Sequence, residues 1–151
     1  QFESALKSLD DKGQKGLIID LRDNGGGALS AALNMLDDLL PAGDLITEEN
    51  RGEKSKSYRS TDEKHFDKPV VVLINGGSAS ASEVFAGTLQ DRKAATLVGV
   101  KSYGKGIIQT IFSLENSIGG GIKLTTGEYL LPSGRSIHEK GLTPDVFCEY
   151  K

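Results

Sequence analysis

This sequence has one cysteine, no long apolar run and no excess of positive charge. The one cysteine, Cys148, excludes an internal disulfide and a cysteine-rich metal cluster. No apolar run reaches the 18 residues that mark a candidate transmembrane helix. The 18 basic and 21 acidic side chains give a formal net charge of -3, so no broad cationic field is available for nucleic acid.

The length and composition are typical of one globular domain. The 151 residues are 37% hydrophobic and 26% charged, and both signs of charge are spread along the chain. A chain of this length buries about two-thirds of its unfolded surface in a single core. We therefore predict one domain over residues 1–151.

Two strand-turn-helix units are predicted in the first two-thirds of the chain. Residues 16–21 and 69–75 are short, largely apolar and β-branched, a pattern typical of strands covered on both faces. Small-residue turns follow both strands, and the helices after them are marked by apolar residues at helical spacing: Leu29, Leu33, Leu36 and Leu40, then Val84, Phe85 and Leu89. This repetition predicts an α/β fold.

The other predicted elements are more varied. A helix begins almost at residue 1 and ends near Gly13, and residues 44–49 and 54–59 form a polar hairpin. A third apolar run covers residues 95–100, and residues 107–114 and 122–131 are predicted as strands on either side of a glycine-rich segment.

Three serines lie at the start of the helix that follows the second buried strand. Ser78, Ser80 and Ser82 alternate with small residues, which let a substrate backbone approach closely. A helix start offers unpaired backbone amides and a positive dipole end, both of which stabilise a developing oxyanion. The alternative is helix capping by serine with Glu83, and for this segment taken alone capping is favoured.

A serine nucleophile needs a base, and this sequence offers few histidines for that role. His65 lies in a charged stretch and His138 lies far along the chain, so both fit surface or loop positions better than a triad. Lysine is the alternative base, and burial away from carboxylates favours the neutral form that it needs. Lys105 has no acidic residue within nine positions, the nearest being Asp91 and Glu115. A solvated loop lysine is the alternative interpretation.

The glycine-rich segment at residues 20–27, DLRDNGGG, is a second candidate site. Its glycines can present backbone amides to an anion or to a substrate carbonyl. A nucleotide site is disfavoured because no Walker lysine follows and the glycines lack dinucleotide-binding spacing. A tight strand-to-helix turn that requires glycine is the structural alternative.

In this order, these motifs resemble the carboxyl-terminal processing peptidases, also called tail-specific proteases. The similar segments span nearly the whole chain: DLRDNGGG, GGSASASE, VGVKSYGKGIIQ and IKLTTGEYLLPSGRSIHEKGLTPDV. The 25 residues from Ser80 to Lys105 agree with the family's serine-to-lysine spacing. The chain differs in having Gly25 where the family often has proline, and in starting without the family's PDZ domain and amino-terminal segments. We expect it to be the catalytic core.

The resemblance implies a role for five residues. Ser80 corresponds to the nucleophile, Lys105 to the general base and Gln109 to the residue that orients the lysine. The backbone amides of Gly26 and Ala81 correspond to the oxyanion hole. The implied fold is a crotonase/ClpP-like α/β core, a twisted sheet with helices packed on it from repeated strand-helix units.

The resemblance also implies a biochemical setting. Substrates are proteins or peptides cut at or near unstructured carboxyl termini, in an extracytoplasmic compartment of a bacterium or in an organelle. No cofactor or metal is implied. An uncovered sheet edge is a route to a homo-oligomer.

Two other functions fit parts of the sequence. A binding module on the same fold would hold a peptide or apolar ligand without cutting it, although Ser80, Lys105 and Gln109 are all intact. A crotonase-type acyl-CoA enzyme would use a similar oxyanion hole, but it needs no serine-lysine pair and no acidic residue is obviously placed as its base. Reaction with a fluorophosphonate discriminates a serine enzyme from a binding module.

Overall fold

A computed structural model describes residues 1–61, 65–114 and 119–149. Three helices and eight strands lie in these ranges, in the order α1 (Phe2–Asp10), β1 (Leu17–Asp20), α2 (Leu29–Leu39), β2 (Gly43–Asn50), β3 (Lys56–Ser60), β4 (Val70–Ile74), α3 (Ala81–Asp91), β5 (Thr96–Gly99), β6 (Ile107–Ser113), β7 (Gly121–Leu130) and β8 (Val146–Phe147).

The first sheet is parallel, in the order β1-β4-β5-β8. Leu17 pairs with Val70 and Val71 pairs with Thr96, so β1, β4 and β5 run side by side in the same direction. Helix α2 follows β1, and helix α3 follows β4, as the two strand-helix units predicted. The predicted α/β class is confirmed.

The second sheet is antiparallel, in the order β3-β2-β7-β6. The predicted polar hairpin forms β2 and β3, and the two predicted strands near residues 107–131 form β6 and β7. Part of the predicted glycine-rich connection, residues 115–118, lies outside the described residues. Strand β8 was not predicted, because the two residues that pair with Val98 and Gly99 have no periodicity of their own.

One hydrophobic core joins the two sheets and the helices. The β4 residues Val70, Val72 and Ile74 lie on one face and pack with Leu36 of α2 and Leu89 of α3. Helix α3 is buried at every position from Ala81 to Leu89. The helix that begins at the candidate serine is therefore held on all sides.

The two central strands differ from their prediction. Residues 16–21 and 69–75 are predicted to be covered on both faces, but Ile18 is 71% exposed and only alternate residues of β1 and β4 turn toward the core. An apolar run does not reveal how many faces of a strand are covered. Among the described residues, the packed helices cover only the face that carries Val70, Val72 and Ile74.

Candidate functional site

Three turns that sequence analysis selected meet at one edge of the parallel sheet. Residues 21–27 follow β1, residues 75–80 follow β4 and residues 100–106 follow β5. Because neighbouring parallel strands end at the same edge, their carboxyl-terminal turns lie together, which is where ligands bind in open α/β sheets. We call these segments the glycine turn, the serine turn and the lysine loop.

Hydrogen bonds fasten the glycine turn to the serine turn. Ser78 Oγ donates to the Leu21 carbonyl oxygen at 2.6 Å, and the Ala79 amide donates to the Asn24 carbonyl oxygen at 3.0 Å. The Asn75 side chain accepts from the Asp23 amide at 2.9 Å and donates to the Asp23 carboxylate at 3.0 Å. Ser78 is thus a structural residue, and the two turns form one rigid unit.

Ser80 lies at the start of α3 in an unusual backbone conformation. Its φ is 57° and its ψ is -122°, a combination that non-glycine residues rarely adopt. Such strain persists only where surrounding contacts hold the residue, and it is frequent at functional sites. The Ser80 amide donates to the Glu83 carboxylate at 3.0 Å, so the capping interaction considered from sequence is present on its glutamate side.

The lysine loop is held between the serine turn and the carboxyl-terminal segment. The Tyr103 amide donates to the Ser78 carbonyl oxygen at 3.0 Å, and the Glu139 amide donates to the Gly104 carbonyl oxygen at 2.9 Å. A Cβ on Gly106 would lie 2.8 Å from the His138 amide nitrogen, so glycine is required for this close approach. Lys105, between these glycines, is half-buried and forms no ion pair within the described residues.

Glu83 is the residue whose importance sequence analysis missed. Its side chain is fully buried and its carboxylate accepts four hydrogen bonds. The donors are the backbone amides of Ser80, Gly104 and Lys105 and the Ser102 hydroxyl, at 2.6 to 3.0 Å. The capping pattern was visible in the sequence, but no local signal showed that most of the donors belong to another loop.

The predicted oxyanion donors lie side by side. A Cβ on Gly26 would lie 2.8 Å from the Ala81 nitrogen, and Gly26 has a φ of 92°, where glycine is favoured. The Ala81 amide has no hydrogen-bond acceptor in the described part of the chain, as expected for the first turn of a helix. The Gly26 amide donates to Asn24 Oδ1 at 3.0 Å, so it is already engaged.

Gln109 is not joined to Lys105 by a hydrogen bond within the described ranges. It lies exposed on β6, opposite Thr125, directly after a bulge between Ile108 and Gln109. The structure therefore brings Ser80, Ala81, Gly26 and Lys105 to one edge of the parallel sheet and places Gln109 on the adjoining antiparallel sheet.

The histidines are separate from Ser80. His65 is exposed, and His138 packs against Gly106 with its Nδ1 buried and without a hydrogen-bond partner among the described residues. In that part of the chain neither histidine shares a hydrogen bond with Ser80.

An arginine-carboxylate pair lies where β1 passes into the glycine turn. Arg22 Nε and Nη2 contact the two carboxylate oxygens of Asp20 at 2.9 and 2.7 Å. The hydrogen bond from the Arg22 side chain, together with one from its backbone, lowers the pKa of Asp20 from 3.8 to about 2. Asp20 is therefore an anion at any physiological pH and fits no role as a proton donor.

The described ranges contain neither a metal-binding cluster nor a helix suited to crossing a membrane. No group of three histidine, cysteine, aspartate or glutamate side chains is placed to hold a metal ion in residues 1–61, 65–114 and 119–149. No helix in the same ranges has the length and apolar character needed to cross a bilayer.

The fold and the site together define a class of protein. Its members have an α/β core with a strained serine at the start of a buried helix. Residues 1–147 match the family model described as peptidase family S41, and the chain belongs to that family. The resemblance to carboxyl-terminal processing peptidases is thereby confirmed.

Individual relatives agree with this assignment. The carboxyl-terminal-processing protease of Synechocystis sp. is 43% identical over 145 residues, which are 96% of this chain and 34% of that protein. The chloroplastic C-terminal processing peptidase of Tetradesmus obliquus is 38% identical, covering 95% of this chain and 31% of that protein. The chain thus spans about a third of the length of the curated relatives it matches.

The fold is also found in a solved structure. The photosystem II D1 C-terminal processing protease superposes with a TM-score of 0.88 at 38% sequence identity, over 97% of this chain and 38% of that chain. The predicted peptidase fold is confirmed by this similarity.

Proposed function

We propose that this chain is the catalytic core of a serine endopeptidase in which Ser80 is the nucleophile and Lys105 is the general base. The observation that carries the proposal is the common attachment of the two residues: their backbone amides donate to the same oxygen of Glu83, at 3.0 and 2.8 Å. The backbones of two residues that are 25 positions apart in the sequence are thus held by one carboxylate oxygen. Membership of peptidase family S41 supports the same assignment.

The reaction requires one nucleophile and one mobile proton. Neutral Lys105 Nζ takes the Ser80 hydroxyl proton as Oγ attacks a peptide carbonyl carbon. The tetrahedral intermediate collapses to an acyl-enzyme, and the lysyl ammonium gives its proton to the leaving amine. Lys105 then takes a proton from water as that water attacks the ester carbon. The second tetrahedral intermediate breaks its bond to Ser80 Oγ, and the Lys105 ammonium returns its proton to that oxygen as the new carboxyl group is released.

Backbone amides would stabilise the oxyanion of each tetrahedral intermediate. The Ala81 amide is available because no acceptor engages it among the described residues. The Gly26 amide must exchange the Asn24 side-chain oxygen for the oxyanion, and a charged acceptor forms the stronger hydrogen bond. Gln109 is proposed to orient the Lys105 amine, as its position in the family motif implies, and it lies on the strand that continues from the lysine loop.

The substrate class follows from the relatives' names. Both curated relatives are named for processing at carboxyl termini, and we propose the same for this chain: proteins cut at or near unstructured carboxyl termini. An extracytoplasmic compartment or an organelle is the proposed location, since one relative is chloroplastic. The mechanism above needs no cofactor.

Hydrolysis of casein tests the proposal in four proteins: the unmutated chain, Ser80→Ala, Lys105→Ala and Lys101→Ala. Lys101 is an exposed lysine of the same loop and serves as the matched control. We expect activity to fall by a factor of at least about 10⁴ in the first two variants and to persist in the third. Fluorophosphonate should label the unmutated chain at Ser80.

Equal hydrolysis in all four proteins would refute the serine-lysine assignment. No labelling and no hydrolysis, even with the longer protein of the length seen in relatives, would instead favour the binding module. Hydrolysis of an acyl-CoA thioester that survives Ser80→Ala would favour the crotonase-type enzyme.

A further inference from the structure

Glu83 is a buried carboxylate with an unusual set of partners. The side chain is 0% exposed, yet within the described residues it contacts no cation. Its negative charge is instead compensated by hydrogen bonds from three backbone amides and one hydroxyl. A buried charge is costly unless hydrogen bonds satisfy it, so these four donors are what allow the Glu83 carboxylate to be buried.

The four donors are divided between the two carboxylate oxygens. Oε1 accepts from the Ser102 hydroxyl at 2.6 Å and from the Gly104 amide at 2.7 Å. Oε2 accepts from the Ser80 amide at 3.0 Å and from the Lys105 amide at 2.8 Å. A single atom therefore sets the separation between the backbone of the candidate nucleophile and that of the candidate base.

Helix capping does not account for this arrangement. A capping glutamate needs only the amide of the first residue, here Ser80. The three other hydrogen bonds come from the lysine loop, 19 to 22 residues farther along the chain. Most of the hydrogen-bonding capacity of the carboxylate is thus used to attach one loop to another.

We infer that Glu83 is a positioning residue that holds the Ser80 and Lys105 backbones in the register that proton transfer requires. The inference rests on the proposed function, since it assumes that Ser80 and Lys105 react. The strained backbone of Ser80 supports it, because a conformation with φ of 57° needs contacts that fix the amide, and the Glu83 carboxylate supplies one.

Replacement by glutamine tests the carboxylate while preserving its shape. Glutamine has one acceptor oxygen, and its NH₂ group would face two donors at the other position. If the NH₂ faces Ser80 and Lys105, both amides lose their acceptor. If it faces Ser102 and Gly104, the Gly104 amide is left unpaired and the lysine loop is released on that side.

The matched control is Thr88→Val on the same helix. Thr88 is also 0% exposed, and its hydroxyl donates to the Leu45 carbonyl oxygen at 3.1 Å, away from the lysine loop. This variant loses a buried hydrogen bond of α3 and lowers stability without touching the site. It separates the effect of a weaker helix from the effect of a misplaced Ser80.

The experiment compares Glu83→Gln and Thr88→Val in the full chain, at a temperature where thermal unfolding shows both to be folded. We expect Glu83→Gln to lower kcat and the rate of fluorophosphonate labelling of Ser80 about 100-fold, with KM little changed. Amide hydrogen exchange at Ser80, Gly104 and Lys105 should accelerate. Thr88→Val should change none of these.

Glu83→Asp provides a second variant in case the glutamine variant does not fold. Aspartate keeps the charge, but its side chain is one methylene shorter, so both oxygens lie farther from the four donors. We expect about a tenfold loss of kcat. Unchanged kcat in the folded variants, or equal losses in Thr88→Val, would overturn the positioning role.

Ser80→Ala separates failure of the proposed function from failure of the positioning role. Activity that depends on Ser80 but not on Glu83 leaves the proposed function intact and overturns only the positioning role. Activity that survives Ser80→Ala overturns the proposed function, and the positioning role falls with it.

Discussion

Replacing Gly26 with alanine should damage the site through the backbone alone. An added Cβ would lie 2.6 Å from the Ala79 carbonyl oxygen and 2.8 Å from the Ala81 nitrogen, whereas ordinary contacts begin at 3.4 Å. The two turns must therefore separate by about 0.8 Å, the difference between 3.4 and 2.6 Å. Since these atoms belong to backbone already fastened by hydrogen bonds, they do not yield easily.

The magnitude has two parts. Alanine in a left-handed conformation costs about 1–2 kcal/mol, which in a chain of this size lowers Tm by roughly 2–8 °C before the clash is added. Displacement of the Gly26 and Ala81 amides removes the proposed oxyanion donors, and loss of one such donor lowers kcat by about 10²- to 10³-fold. We expect KM to change much less than kcat, since the amides act on the transition state.

The assay is casein hydrolysis with thermal unfolding of the same samples, beside Gly27→Ala. Gly27 is the next residue of the same turn, but a Cβ there meets no atom within 4 Å and its φ is not positive. Gly27→Ala should keep its Tm and most of its activity. A Gly26→Ala protein with unchanged kcat and Tm would refute the reasoning.

Two further predictions concern the scaffold around the site. Leu36→Ala, at a 0% exposed position of α2, should lower the free energy of unfolding by about 2–5 kcal/mol. Ile18→Ala, at a 71% exposed position, should change it little. Equal losses of unfolding free energy in a denaturant titration would contradict the core assignment. The Asp20 carboxyl resonance should titrate with a pKa of about 2, and Arg22→Gln should raise that pKa toward 3.8. Because the pKa is lowered on folding, the stabilising contribution of Asp20 is present above pH 3.8 and lost as pH falls toward 2; a midpoint of 3.8 in the unmutated chain would contradict the pairing.

Local sequence features determined much of this protein. The apolar runs at residues 16–21 and 69–75 specified two strands, and periodic leucines specified α2, because backbone conformation follows from side-chain periodicity over a few residues. The glycines near residue 26 and the serine pattern near residue 80 indicated turns at strand ends. These patterns and the spacing to Lys105 were enough to predict the family.

Tertiary structure decided how these segments contact one another. Glu83 could be predicted as a helix cap, but its bonds to Ser102, Gly104 and Lys105 depend on the path of a loop 19 to 22 residues away. The hydrogen bond from the Gly26 amide to Asn24 and the exposure of Ile18 likewise depend on which segments pack beside these residues. Side-chain periodicity encodes which residues of a segment turn inward. The hydrogen-bond partners of a buried polar group are set only when distant segments pack together, because only then does each buried donor meet its acceptor.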